Sequence, residues 1–143
     1  MILKQNGFKM DISKQQKKKL RKISQEFGLD FIILHGSKAA NRLLTKDSDL
    51  DIAIYKRRGI KADQFFEIYS QIAQVFSGED VDIKTLNAKA PLFKYQVVRD
   101  GMLLFGDRTA YNEFKAFIFK EYFDSASLFL LEKQLLKKTF GWF

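Results

Sequence analysis

The stretch Ser48-Asp49-Leu50-Asp51-Ile52-Ala53-Ile54 constrains this chain more than any other. Leu50, Ile52 and Ile54 alternate with Asp49, Asp51 and Ala53, and a period of two is the period of a β-strand. Such a strand turns three aliphatic side chains to one face and both carboxylates to the other, side by side. Like charges held that close either share a proton or bind a cation. The fold must therefore bury one face of this strand and supply the other with positive charge. Val81-Asp82-Ile83-Lys84 repeats the pattern with one acid.

The flanking segments read as alternating helices and strands. Ser13 caps a helix to about Phe27, with Gln16 as capping-box partner, Leu20, Ile23 and Phe27 as its apolar stripe and Gly28 as its stop. Phe31, Ile32, Ile33 and Leu34 are a short, continuously apolar run, as in a buried strand, and Gly36-Ser37 breaks it. Ala62 to Phe76 has helical spacing, with Phe65, Phe66, Tyr69, Ile72, Ala73 and Phe76 on one broad face. Pro91 opens a short helix that ends near Gly101, Met102 to Phe105 reads as a strand, and the chain from about Arg108 to Lys138 is helical by pattern. These elements predict an α/β (α+β) fold with a small mixed β-sheet of about four strands flanked by helices, ending in a long C-terminal helix. With 143 residues and no Pro/Gly-rich linker, a single domain is expected over 1–143: a basic helix at about 13–27, a core at about 28–110 and the C-terminal helix at about 108–140.

Composition narrows the chemistry. There is no cysteine and one histidine, which excludes disulfides and thiolate sites and disfavours zinc. No apolar run reaches the roughly 18–20 residues of a membrane span, and the N-terminus lacks the apolar centre of a signal peptide, so a cytoplasmic protein without membrane contact is expected. The net charge of +8 is concentrated at one end: residues 1–22 hold eight Lys and Arg against one acid, leaving 17 basic and 16 acidic residues elsewhere. That segment suits either the solvated face of an amphipathic helix or a patch for RNA, DNA or an acidic partner.

Three carboxylates on strands, Asp49, Asp51 and Asp82, with no thiols and one imidazole, call for a hard cation. Mg²⁺ or Mn²⁺ fits, since both take carboxylate, water and phosphate oxygens. Asp49 and Asp51 are the paired ligands and Asp82 a third. Gly36 lets a backbone approach phosphate closely, Ser37 offers an N–H and a hydroxyl, and Lys38 adds a point charge. Lys56, Arg57 and Arg58, which end the Asp-bearing strand, suit either phosphate contact or a solvated strand end. His35 suits a packed position at its strand end.

Together, Leu34-His35-Gly36-Ser37, Ser48-Asp49-Leu50-Asp51-Ile52-Ala53-Ile54 and Val81-Asp82-Ile83 resemble the minimal nucleotidyltransferase (MNT) family of the polymerase-β superfamily. Ala90-Pro91-Leu92 through Arg99-Asp100-Gly101 and Leu104-Phe105 resemble its C-terminal half, so the likeness covers roughly residues 25 to 110. Within the family it is similar to the antitoxins of HEPN-domain toxins. The resemblance implies Mg²⁺-dependent transfer of AMP from ATP to a tyrosine of a HEPN toxin, silencing its RNase. By position, Asp49 and Asp51 match the catalytic metal-binding pair, Gly36 and Ser37 the triphosphate turn, and Asp82 the carboxylate that assists deprotonation of the acceptor hydroxyl. Ala40 and Asn41 stand where the family usually has Arg and Gly.

Two other functions compete with this one: a binding antitoxin that neutralises its partner stoichiometrically, and nucleotide transfer to a small hydroxylated molecule. The aromatics of the C-terminal helix, with Phe140, Trp142 and Phe143 at its end, exceed what a small core absorbs and predict a homodimer or partner interface there, with Phe114 and Phe117 in the core. RNA contact is expected only through the basic N-terminal segment.

Overall fold

The computed structural model describes residues 12–36 and 50–141. In chain order they form α1 (Lys14–Phe27), β1 (Phe31–His35), β2 (Leu50–Tyr55), α2 (Ala62–Val75), β3 (Val81–Thr85), α3 (Pro91–Asp100), β4 (Met102–Phe105) and α4 (Arg108–Phe140). The strands make one mixed sheet in the order β3-β2-β1-β4. β1 is antiparallel to both β2 and β4, whereas β2 and β3 run parallel and are joined by the α2 crossover. The expected fold class is therefore what the chain adopts.

Local chemistry accounts for the helix ends. Ser13 and Gln16 exchange side-chain and backbone hydrogen bonds at 3.0 Å, closing the capping box of α1, and Gly28 ends the helix in the left-handed conformation. Pro91 opens α3, and the Asp107 carboxylate accepts from the Ala110 N–H at 2.8 Å to cap α4.

The sheet separates two cores. Ile32, Leu34, Leu50, Ile52, Ile54 and Ile83 face α1 and α2, where Leu20, Ile23, Phe27, Ile68, Ile72 and Val75 meet them. Phe31, Ile33 and Ala53 face α3 and α4, against Val97, Val98, Tyr111 and Ile118. Each aliphatic side chain so removed from water contributes about 1.5–3 kcal/mol. At the start of α4, Phe31, Tyr55, Tyr111 and Phe114 pack with ring centroids 4.5 to 6.0 Å apart.

Two expectations about packing are corrected. Phe66 is 72% exposed, because α2 buries the stripe Ile68, Ile72 and Val75 that faces α1 and the sheet, and Phe66 lies off that stripe. Phe117 is 62% exposed, since Tyr111 and Ile118 point α4 into the core and Phe117 turns away. Trp142 and Phe143 lie outside the described residues.

Tyr111 is 1% exposed, and its hydroxyl has no hydrogen-bond partner among the described residues. Tyr111→Phe is therefore expected to raise stability by up to about 1 kcal/mol. Burial pushes the Tyr111 phenol up to about 12, against a smaller opposing pull from Arg108. Between pH 10 and 12 the unfolded chain has released this proton and the folded one has not. Stability is thus fully present below pH 10 and falls as pH rises, by up to about 2–3 kcal/mol. Urea unfolding at pH 8 and pH 11 should show that loss in the wild type and a smaller one in Tyr111→Phe.

Candidate active site

β2 pairs His35 with Asp51 on one side and Asp51 with Asp82 on the other. Residues directly opposite in a sheet share a face, so His35, Asp51 and Asp82 form a row across β1, β2 and β3, on neighbouring strands roughly 4.8 Å apart. Their face is the one that carries α3 and α4, because Ile33 and Ala53, two residues along on β1 and β2, lie in that core. The row stands at the end of the sheet where the polypeptide leaves β1, beyond the reach of the apolar packing.

Gly36 follows directly, with φ +78°. A Cβ built there falls on the Asp51 carboxylate, meeting Oδ2 and then Cγ at 3.1 Å. The glycine expected to admit a phosphate is thus also required by Asp51 itself. Lys84, two residues after Asp82 and on the same face, puts Nζ 3.6 Å from Asp82 Oδ2 and 5.8 Å from the Phe93 ring centre. The ring of Phe93 stands edge-on to His35 at 6.0 Å. A cleft of about 310 Å³ opens beside the row, lined by His35, Gly36, Phe93, Gln96, Arg99 and Asp100 among others. Burial holds the His35 imidazole below its ordinary value; Asp51 and Asp82 pull it back up and Lys84 pushes it down. At neutral pH His35 is an uncharged, packed side chain beside two carboxylates, the role its strand-end position suggested.

Of the expected site residues, Gly36, Asp51 and Asp82 come together; Asp49, Ser37 and Lys38 lie outside the described residues, as do Ala40 and Asn41. Lys56, Arg57 and Arg58 are excluded by position, since they follow the far end of β2 from Asp51. There the Arg57 N–H donates to Asp30 at 2.7 Å and Lys56 lies beside Gly28. Lys84, Phe93, Gln96 and Arg99 were not anticipated. Lys84 was legible from its two-residue spacing to Asp82, whereas the α3 residues reach the row only through tertiary packing.

An oxygen-only donor pair suits Mg²⁺ or Mn²⁺. Among the described residues no three His, Asp or Glu side chains gather closely enough to hold a metal ion by themselves. Asp51 and Asp82 are the described part of the expected ligand set, their carboxylates are brought to one face by register, and their chemistry fits a hard divalent ion. Among the described residues no helix is long and apolar enough to cross a membrane.

Solved structures share this arrangement. A chain of a toxin–antitoxin complex with AMP-PNP superposes with a TM-score of 0.64 at 21% identity, over 83% of this chain and 98% of that one. A chain from a complex of tri-AMPylated Shewanella oneidensis HEPN toxin with MNT antitoxin gives 0.62 at 20%, over 87% and 99%. One from the toxin–antitoxin pair MntA-HepT gives 0.61 at 20%, over 86% and 99%. No curated protein matches the sequence significantly. The family described as polymerase beta, nucleotidyltransferase matches residues 18–110, a span that holds α1, the whole sheet and both described carboxylates. The chain belongs to that nucleotidyltransferase family.

Proposed function

We propose that this protein is a Mg²⁺-dependent adenylyltransferase that moves AMP from ATP onto a tyrosine hydroxyl of a HEPN-type toxin and so acts as its antitoxin. The observation that best supports this is the row of Asp51 and Asp82 on adjacent strands, with Gly36 in a left-handed turn against Asp51. AMP-PNP in one similar complex and a tri-AMPylated toxin in another support the nucleotide and the acceptor.

In the proposed reaction the acceptor oxygen attacks the α-phosphorus of ATP. The new P–O bond forms as the bond to the β-phosphate breaks, and pyrophosphate leaves with that electron pair. Asp82 takes the hydroxyl proton, while the Gly36 turn with Ser37 and Lys38 holds the triphosphate. Asp49, Asp51 and Asp82 would hold the Mg²⁺, which neutralises phosphate charge. Lys84 keeps a cation at the edge of the cleft, and neutral His35 adds no charge that would pair with the carboxylates in the ion's place.

The protein acceptor docks on α4. Leu128, Phe129, Leu130, Leu131, Leu135 and Phe140 are each more than half exposed. At about 100 Å² apiece they leave about 600 Å² of apolar surface, the upper end of what soluble monomers carry.

The test pairs the purified chain with a HEPN-type RNase drawn from a neighbouring reading frame. With ATP and Mg²⁺, the partner's intact mass should rise in steps of AMP on a tyrosine as its RNase activity falls, with one antitoxin silencing many partners. Inhibition that needs no ATP and saturates at one to one would replace catalysis by stoichiometric binding.

A further inference from the structure

α1 carries Lys14, Lys17, Lys18, Lys19, Arg21 and Lys22, six cations within nine residues. At 1.5 Å per residue they span about 12 Å, or roughly one positive charge per 2 Å. Duplex nucleic acid carries one negative charge per about 1.7 Å of axis. Leu20, Ile23, Ser24 and Phe27 occupy the buried side of the helix, and at 100° per residue the six cations fill a continuous arc of about 200° opposite them. All but Lys17 are fully exposed, and Lys17 is half-buried.

This placement works against the stability of α1. Lys14 and Lys18, Lys17 and Arg21, and Lys18 and Lys22 are like charges four apart, which repel. The first turn holds no acid, so Lys14 and Lys17 sit at the positive end of the helix dipole. No carboxylate among the described residues forms an ion pair with any of the six. Lys17 and Arg21 also face Arg108 across a cleft of about 390 Å³ over the backbone of β4, the sheet edge, from Leu103 to Asp107. Asp107 is the acid of this wall, and its carboxylate is engaged by the Ala110 N–H.

We propose that the basic arc of α1 and its cleft with Arg108 bind the phosphodiester backbone of a nucleic acid duplex without reading its sequence. The arc holds Lys, Arg and Gln with no exposed apolar residue among them, whereas protein interfaces have apolar centres and are depleted in Lys. It carries no aromatic ring on which an unpaired base would stack, which favours a duplex over a single strand. α1 packs on the sheet face opposite Asp51 and Asp82, so the phosphates held here are not those that react. Binding delivers the enzyme to nucleic acid and leaves nucleotide transfer unchanged.

Fluorescence anisotropy of the full chain with labelled 20-base-pair RNA and DNA duplexes tests this. Binding in the micromolar range at 50 mM salt is expected, with log K falling against log salt at a slope of about −4 or steeper. Substituting Lys17→Gln, Arg21→Gln and Arg108→Gln together should weaken binding at least roughly tenfold and flatten the slope by about 2.7. A second variant, Lys14→Gln with Lys18→Gln and Lys22→Gln, uses only exposed positions and should do the same while raising the melting temperature by about 2–5 °C, because repulsion is relieved. Preference for the RNA or the DNA duplex identifies the source, and either supports the proposal. It is overturned by absence of binding at 50 mM salt, by variants that bind like the wild type, or by polyglutamate competing as well as the duplex. AMP transfer by the same variants should equal the wild type, so failure here is distinguishable from failure of the proposed activity.

Discussion

Asp51→Asn should lower AMP transfer at least about a thousandfold, some 4 kcal/mol in the barrier, without lowering the melting temperature. Asparagine keeps the volume of the side chain and removes its charge. The row then loses one of its two described carboxylates, and with it the oxygen donor nearest the Gly36 turn. Stability points the other way. Asp51 faces Asp82 across adjacent strands, and like charges in that relation are destabilising, so a neutral amide is tolerated or mildly favourable. Initial rates of AMP incorporation and a thermal melt on the same preparation separate the two effects. Transfer within tenfold of the wild type would remove Asp51 from the site and, with it, the assignment of this face as catalytic.

Gly36→Ala is the second large effect, and it acts on stability and activity together. At φ +78° an alanine costs about 1–2 kcal/mol in backbone conformation alone. Its Cβ would also land on the Asp51 carboxylate, so either Asp51 or the turn must shift. A loss of about 2–3 kcal/mol, or roughly 5–10 °C for a chain of this size, is expected. A displacement of about 1 Å in the carboxylate should cost roughly a further hundredfold in rate. Adding Asp51→Ala to Gly36→Ala removes the steric part. The melting temperature should recover partway and activity should not. No recovery would mean that backbone conformation, and not the carboxylate, fixes glycine at this position.

Periodicity made most of the elements legible. Alternation at Leu50, Ile52 and Ile54, the capping pair Ser13 and Gln16, and Pro91 at a helix start all encode their structure within a few residues of themselves. Side-chain facing was less legible on the helices, because Phe66 and Phe117 are as apolar as their buried neighbours, and only the position of the sheet decides which stripe turns inward. The site was half readable. Asp51 and Asp82 could be singled out as carboxylates on strands. Their alignment with each other and with His35 depends on the register of β1, β2 and β3, which are set by pairing between segments far apart in sequence. Phe93, Gln96 and Arg99 join the cleft only because α3 lies across that face, and no spacing along the chain encodes it.

The outer half of α4 has a consequence for how long a molecule of this protein persists. From Asp124 to Phe140 the helix runs for about 25 Å, and Leu136 is the one residue after Ala126 that is not exposed. A segment so apolar and so little packed is what chaperones and proteases recognise, and its opening free energy is low. Copies whose α4 is covered by another protein are shielded, and copies in excess are cleared or aggregate. The helix thereby ties the working amount of the protein to the amount of whatever covers it, a form of dosage matching that needs no control at the level of synthesis.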